Sequence, residues 1–244
     1  MVTTRHHPEE FPPPPSSKYE RSSAESLDVT QQWAHRVPNF LLAWLSLSVP
    51  IVLWDAGYCL LRPHSMPGGK WHTPWIPYAL YGAIDYIYGW PAYHAKNGFT
   101  SAQAALNVVE SGVYIIYLIS VWRHGYSTVG GRARKAERTR KDLRWFFIGN
   151  KKVPGREGAV ALLVVFSGCV VTFSKTLLYW LCEVYAGFDN IGHNDLYTLI
   201  FLWIVPNGLW LVFPAIASYL LGKEIVQGLQ LSPGGSSTKR EKDS

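Results

Sequence analysis

Apolar residues run almost unbroken through four stretches of the chain: Asn39 to Leu61, Ala102 to Trp122, Ala159 to Leu181 and Tyr197 to Leu221. Each reaches the roughly 20 residues that a helix needs to cross a hydrocarbon core. One charged residue interrupts each of the first three, and none the fourth, as suits segments that lie in lipid. A fifth stretch, Trp75 to Trp90, is aromatic but short and broken by Pro77, Gly82 and Asp85. Trp and Tyr favour the membrane–water boundary, so this piece is expected to be interfacial or re-entrant. The fold class expected is an all-α membrane protein, a four-helix transmembrane bundle with an intramembrane cavity and an aromatic cap at one end.

Outside these stretches the chain changes character. Residues 1–36 are rich in Pro, Ser and charge, with Pro12 to Pro15 consecutive, and 226–244 are polar. Neither end holds enough apolar surface to drive ordering, so both are expected to be disordered tails flanking a domain over 37–225. The N-terminal segment lacks the apolar core of a cleaved signal peptide. The loop between the second and third spans carries Arg123, Arg132, Arg134, Lys135, Arg138, Arg140, Lys141, Arg144, Lys151, Lys152 and Arg156 against Glu137, Asp142 and Glu157. The positive-inside rule puts this loop, and therefore both termini, in the cytosol. Beside membrane spans, such a cluster reads as contact with anionic lipid rather than nucleic acid.

Composition agrees. Hydrophobic residues make up 48% and charged residues 16% of the 244, with 11 Trp and 14 Tyr. Soluble domains carry roughly 25% charged residues. The three cysteines, Cys59, Cys169 and Cys182, form no disulfide framework and no metal spacing. Gly-rich phosphate loops, metal-ligand clusters and Ser-His-Asp order are absent from the sequence, which argues against the enzyme classes built on them. No metal and no cofactor is expected.

The candidate chemistry lies in the polar residues of the spans. Asp55 sits within the first. The second carries Asn107, Glu110, Tyr114 and Tyr117 at steps of three, four and three, which places them on one helical face. The third carries Lys175, for which snorkelling or pairing with Glu183 is expected. The fourth carries Asn207 and Trp210, three apart, with Pro206 loosening the backbone beside them. A carboxylate at mid-bilayer is unfavourable by about 2.5–3.5 kcal/mol, whereas an interhelical hydrogen bond returns about 0.6 kcal/mol on average. Asp55 and Glu110 must therefore face the interior, toward each other or a hollow. Two acids in one apolar hollow are expected to divide acid and base roles between them. Such a pair suits proton delivery to an alkene and removal from a neighbouring carbon, or charge pairing with an amine among aromatic rings.

These residues resemble the EXPERA-domain membrane proteins, which include the sterol Δ8-Δ7 isomerase known as emopamil-binding protein and the sigma-two receptor. "SVPIVLWDAGYCLLRP" is similar to the first family helix, with Asp55 at its acidic position. "YGAIDYIY" is similar to the family's Tyr-x-x-x-Asp-x-x-Tyr stretch, through Tyr81, Asp85 and Tyr88. "NVVES" places Glu110 at the second-helix glutamate. "VPNGLWLVFP" places Asn207, Trp210 and Pro214 on the family's last helix, and Glu183 falls at its loop glutamate. The resemblance covers Phe40 to Leu221. It implies a catalytic set of Glu110, Asp55 and Asn207, with Trp210 and Asp85 about the ligand; Asn107, Tyr114 and Tyr117 are expected there from the helical face they share with Glu110. Ile51 stands where the isomerase has a histidine, and Asp55 where it has a glutamate.

The function expected on this resemblance is a double-bond isomerase acting on a sterol or terpenoid in the endoplasmic reticulum membrane. The alternatives are a non-catalytic sterol or lipid-binding or trafficking protein, and a terpenoid-modifying enzyme of secondary metabolism. The partners expected are that small molecule and the lipid bilayer, with no nucleic acid. The sequence leaves a homodimer open.

Overall fold

A computed structural model describes residues 33–127 and 149–230. The tails over 1–32 and 231–244, the Pro12 to Pro15 run, and the basic loop from Arg132 to Arg144 lie outside the described residues. Among the described residues four helices are long and apolar enough to cross a membrane. They are α1 (Asn39–Leu60), α4 (Phe99–His124), α5 (Gly155–Tyr185) and α6 (Leu196–Gln230). Between α1 and α4 the chain forms a 3-10 turn (Thr73–Trp75) and two short helices, α2 (Pro77–Ile84) and α3 (Trp90–His94). The chain is therefore a mostly helical integral membrane protein. The four spans fall where the apolar stretches predict them, and run longer by up to nine residues at the end of α6.

The polar ends differ from expectation. Ala34–Val37 is not tail but a strand, β1, pairing antiparallel with β3 (Lys151–Pro154), which pairs in turn with β2 (Tyr126–Ser127). The sheet order is β1-β3-β2, so the bundle is not purely α-helical. Each strand is the lead-in or exit of a spanning helix, and their convergence at one end lets them zip together. Val37 and Val153 are fully buried beneath it, and Arg36 and Lys151 point outward. Pro154 lacks an N–H and ends its strand. Strands of two to four residues are too short for period-two alternation to register. Helix α6 likewise continues through 226–230.

The backbones run closest along three seams: α1 with α4, α4 with α5, and α5 with α6. At the α4–α5 seam Gly168 lets the helices approach, since a Cβ there would meet the Tyr114 ring at 2.7 Å. Small residues are the usual means of close packing between membrane helices. The fourth side, between α1 and α6, is made by large side chains instead. Trp44 stacks on Phe213 at 4.5 Å between centroids and meets Trp210 edge-on at 5.0 Å. Beyond these rings the seam stands open, and it is here that the polar residues of α1 and α6 gather.

Two prolines shape α6. Pro206 removes one backbone donor just after a wide π-helical turn over Leu199–Ile204. Asn207, next along, donates its Nδ2 to the Trp203 carbonyl at 2.8 Å, one turn back.

Candidate functional site

A hollow of about 310 Å³ opens between α1, α2 and α6. Small-molecule sites occupy roughly 300–1,000 Å³, so it lies at the lower end of that range. Its walls are Ile51, Val52 and Trp54 from α1, Pro77, Tyr78 and Tyr81 from α2, and Pro206 and Trp210 from α6, with Tyr88 and Tyr179 behind. Its polar atoms come from Asp55, Gln103, Asn107 and Asn207. The surface is thus mostly apolar and aromatic, with a few placed polar groups.

Asp55 sits half-buried on this wall and accepts a hydrogen bond from the Tyr78 hydroxyl. Tyr78 stacks on Tyr58 with ring centroids 4.0 Å apart, and Tyr58 donates to the Tyr88 carbonyl at 2.9 Å. This aromatic stack fixes the hydroxyl against the carboxylate. Tyr81 and Tyr88 meet edge-on at 5.0 Å and complete the aromatic side of the hollow. Asn207 donates to the Tyr81 hydroxyl at 3.2 Å as well as to Trp203. Its two amide hydrogens are therefore spoken for, leaving the amide oxygen as its group for a ligand.

Glu110 takes a different place. It is buried, 6% exposed, and its Oε2 lies 3.0 Å from Lys175 Nζ. Lys175 also donates to Asn107 Oδ1, and Asn107 lines the hollow. The lysine pairs with Glu110 rather than with Glu183, which instead accepts from Asn190 at 2.7 Å. Nor are the two membrane acids partners of each other. Asp55 is held by a tyrosine and Glu110 by an ammonium, and the charge of that same Lys175 also reaches Asp55. Glu110 reaches the hollow only through Lys175 and Asn107.

Asp85 lies one layer behind. It is fully buried at the end of α2 and accepts from Tyr179 Oη, from Trp203 Nε1 at 2.8 Å and from Ile87 N at 3.1 Å. Burial pushes its carboxyl up to about 6, and these three donors restrain it from rising further. Its oxygens are occupied, and it acts on the hollow through Tyr179. Tyr114 and Tyr117 do not line the hollow. The Tyr114 hydroxyl meets Thr172 Oγ1 on α5, and Tyr117 Oη lies 3.1 Å from His35 Nε2. His35 in turn holds Glu224 at 2.9 Å, tying β1 to α4 and α6 near the sheet.

Of the eight residues selected from sequence, Asp55, Asn107, Asn207 and Trp210 share the hollow, while Glu110, Asp85, Tyr114 and Tyr117 do not line it. Sequence reading passed over Tyr78 and Gln103. Gln103 had a signal, since it stands one turn before Asn107 on the same face. Tyr78 had none, because its reach to Asp55 depends on how the short helix α2 folds back.

The arrangement belongs to a polytopic helical membrane protein with an aromatic hollow tipped by one carboxylate. Comparison with protein-family models, curated proteins and solved structures finds no match for the chain.

Proposed function

We propose that the protein binds a sterol or terpenoid in the hollow between α1 and α6, within the membrane, and shifts one of its double bonds by proton transfer. The observation that carries the reading is Asp55. A carboxyl group stands on the wall of a mostly apolar aromatic hollow, oriented by Tyr78 and open to a ligand. The resemblance to the EXPERA-domain proteins supports the same reading and supplies the substrate class.

In this reading the Asp55 carboxyl, with Tyr78 behind it, delivers a proton to one alkene carbon and receives one from the neighbouring allylic carbon. The product keeps its atoms and gains only a new double-bond position, so no cofactor enters. Positive charge develops on carbon between the two steps. The faces of Trp210, Tyr81 and Tyr88 and the Asn207 amide oxygen are the groups that steady it. Lys175, neutralised by Glu110, holds Asn107 at the rim. Asp85 holds Tyr179 in place. The chain lies in an intracellular membrane such as the endoplasmic reticulum, with both termini in the cytosol, as the basic residues at the sheet end support.

One observation favours a second reading, that of a non-catalytic sterol or lipid binder. Lys175 occupies Glu110, so a single carboxylate remains at the hollow, which suffices for binding. Deuterium separates the two. Membranes containing the protein are incubated in heavy water with a Δ8-sterol, alongside an Asp55→Asn variant. Label at the allylic carbon with wild type alone is the isomerase result. Sterol retained without label is the binder result. Sterol neither retained nor labelled removes both readings.

A further inference from the structure

A second hollow, of about 490 Å³, lies at the end of the bundle away from the sheet, where α1 ends and α4 begins. It is lined by Cys59, Arg62, His94, Lys96, Asn97 and Ser101, together with Leu60 and Tyr93. An arginine, a lysine and a histidine face one space, and no carboxylate is among its lining residues. Among the described residues neither Arg62 nor Lys96 forms an ion pair.

Arg62 explains how such a site stays built without a counter-charge. Its guanidinium donates to neutral acceptors alone: the Cys59 carbonyl at 3.3 Å, the Ile87 carbonyl at 3.3 Å, Thr100 Oγ1 at 2.6 Å and Ser101 Oγ at 3.1 Å. Four of its five N–H groups are thereby used to join α1, the turn after Asp85 and α4. The hydrogen bonds satisfy the geometry but include no ion pair, so the half-buried charge is met by Asp55 only at a distance. A charge so placed favours an anion.

The remaining lining groups are donors. Ser101 accepts from Arg62, which leaves its own hydroxyl hydrogen free. Asn97 commits its Oδ1 to the Phe99 N–H at 3.0 Å, which leaves its amide hydrogens. Lys96 is held in the left-handed backbone region, at φ 55°, by the turn that joins α3 to α4. The His94 ring stacks on Trp90 at 5.3 Å and makes no hydrogen bond among the described residues. A hollow that offers cations and donors, with no carboxylate acceptor, selects a ligand rich in anionic oxygen.

We infer that this hollow is a phosphate-group site, taking either the headgroup of an anionic phospholipid or a free phosphate. It is a different hollow from the one that Asp55 lines, and the two communicate only through the charge of Arg62. The full-length protein in a neutral maltoside detergent is titrated with dihexanoyl phosphatidic acid, with inorganic phosphate and with dihexanoylglycerol, and the unfolding temperature is followed. The variant is Lys96→Gln with His94→Gln, since both side chains are exposed and Arg62 keeps its structural bonds. Expected is a saturable rise with phosphatidic acid, weakened about tenfold or more in the double variant. A rise with the lipid alone assigns the headgroup, and an equal rise with inorganic phosphate assigns the free anion. No saturable rise with either phosphate probe overturns the site. So does an equal rise with the uncharged diacylglycerol, or an unchanged affinity in the double variant.

Discussion

The α4–α5 seam and the α1–α6 seam each carry a carboxylate, and they treat it in opposite ways. On the closed seam Glu110 is buried against Lys175, with Asn107 completing the ammonium's bonds. The open seam gives Asp55 a phenol and a hollow, with the Lys175 and Arg62 charges acting on it only from a distance. A buried ion pair holds a fold together only while both members remain, whereas a half-satisfied acid beside a hollow is available to something else. The difference teaches that an acid in a membrane span is not by itself a catalytic group. Its neighbours decide whether its charge is already used.

Breaking the closed seam is expected to produce the largest effect. Glu110→Leu leaves Lys175 as an unpaired buried charge and should destabilise the protein by about 3–5 kcal/mol. Lys175→Met should act similarly from the other side. The double variant should return to within about 1 kcal/mol of wild type, because an apolar pair replaces an ionic one. Thermal unfolding in detergent of the four proteins gives the cycle. Full additivity of the two single losses would show that the pair is not coupled and would erase the contrast between the seams.

Asp85 stands between the two cases, with three donors but no cation. Burial raises its folded value to about 6 from an ordinary 3.8. In the window between these values the folded chain binds the proton more tightly than the unfolded chain. Its contribution is therefore fully present below about pH 4 and is lost as pH rises through 6. The whole swing is on the order of 3 kcal/mol for a shift of about two units. Asp85→Asn should flatten that part of the stability curve, measured by unfolding from pH 4 to 7.5 in one detergent. A slope that survives the substitution would place the titration elsewhere.

How much of this was legible beforehand follows from the same contrast. The spans were, because 20 apolar residues in a row leave few alternatives. The shared face of Asn107, Glu110, Tyr114 and Tyr117 was also legible, and all four do meet partners outside their own helix. The sequence could not say which neighbour meets that face. Lys175 is three residues from Thr172 and 65 from Glu110, and only the packing of α5 on α4 reveals that it neutralises the acid. The sheet was hidden by its short strands. Tyr78 was hidden because α2 is a piece of eight residues whose fold-back depends on contacts far along the chain. Local periodicity carries element identity, while charge pairing across seams is a tertiary fact.

On the open seam the expected effects fall on the ligand rather than on the fold. Asp55→Asn keeps the shape and removes the charge, so stability should change by less than about 1 kcal/mol. Sterol turnover, or sterol affinity if the protein only binds, should fall about tenfold or more, as for a lost charge-assisted contact. A loss of stability as large as that of Glu110→Leu would show that Asp55, too, is a structural acid, and the comparison would dissolve.

Tyr78→Phe is the smallest and most discriminating change. It removes one hydroxyl from Asp55 and leaves the stack on Tyr58 intact. The lost hydrogen bond is worth about 0.5–1.5 kcal/mol, or between twofold and about tenfold. If Asp55 transfers protons, the phenol sets its orientation and acidity, and the change should alter turnover and its pH profile more than sterol affinity. If Asp55 only binds, affinity should change and no profile exists to move. Measuring both quantities in the one variant therefore tests whether the open carboxylate is a reagent or an anchor. An effect on neither would mean that the Tyr78 hydroxyl does not govern Asp55, and that the open seam presents its acid without an orienting partner.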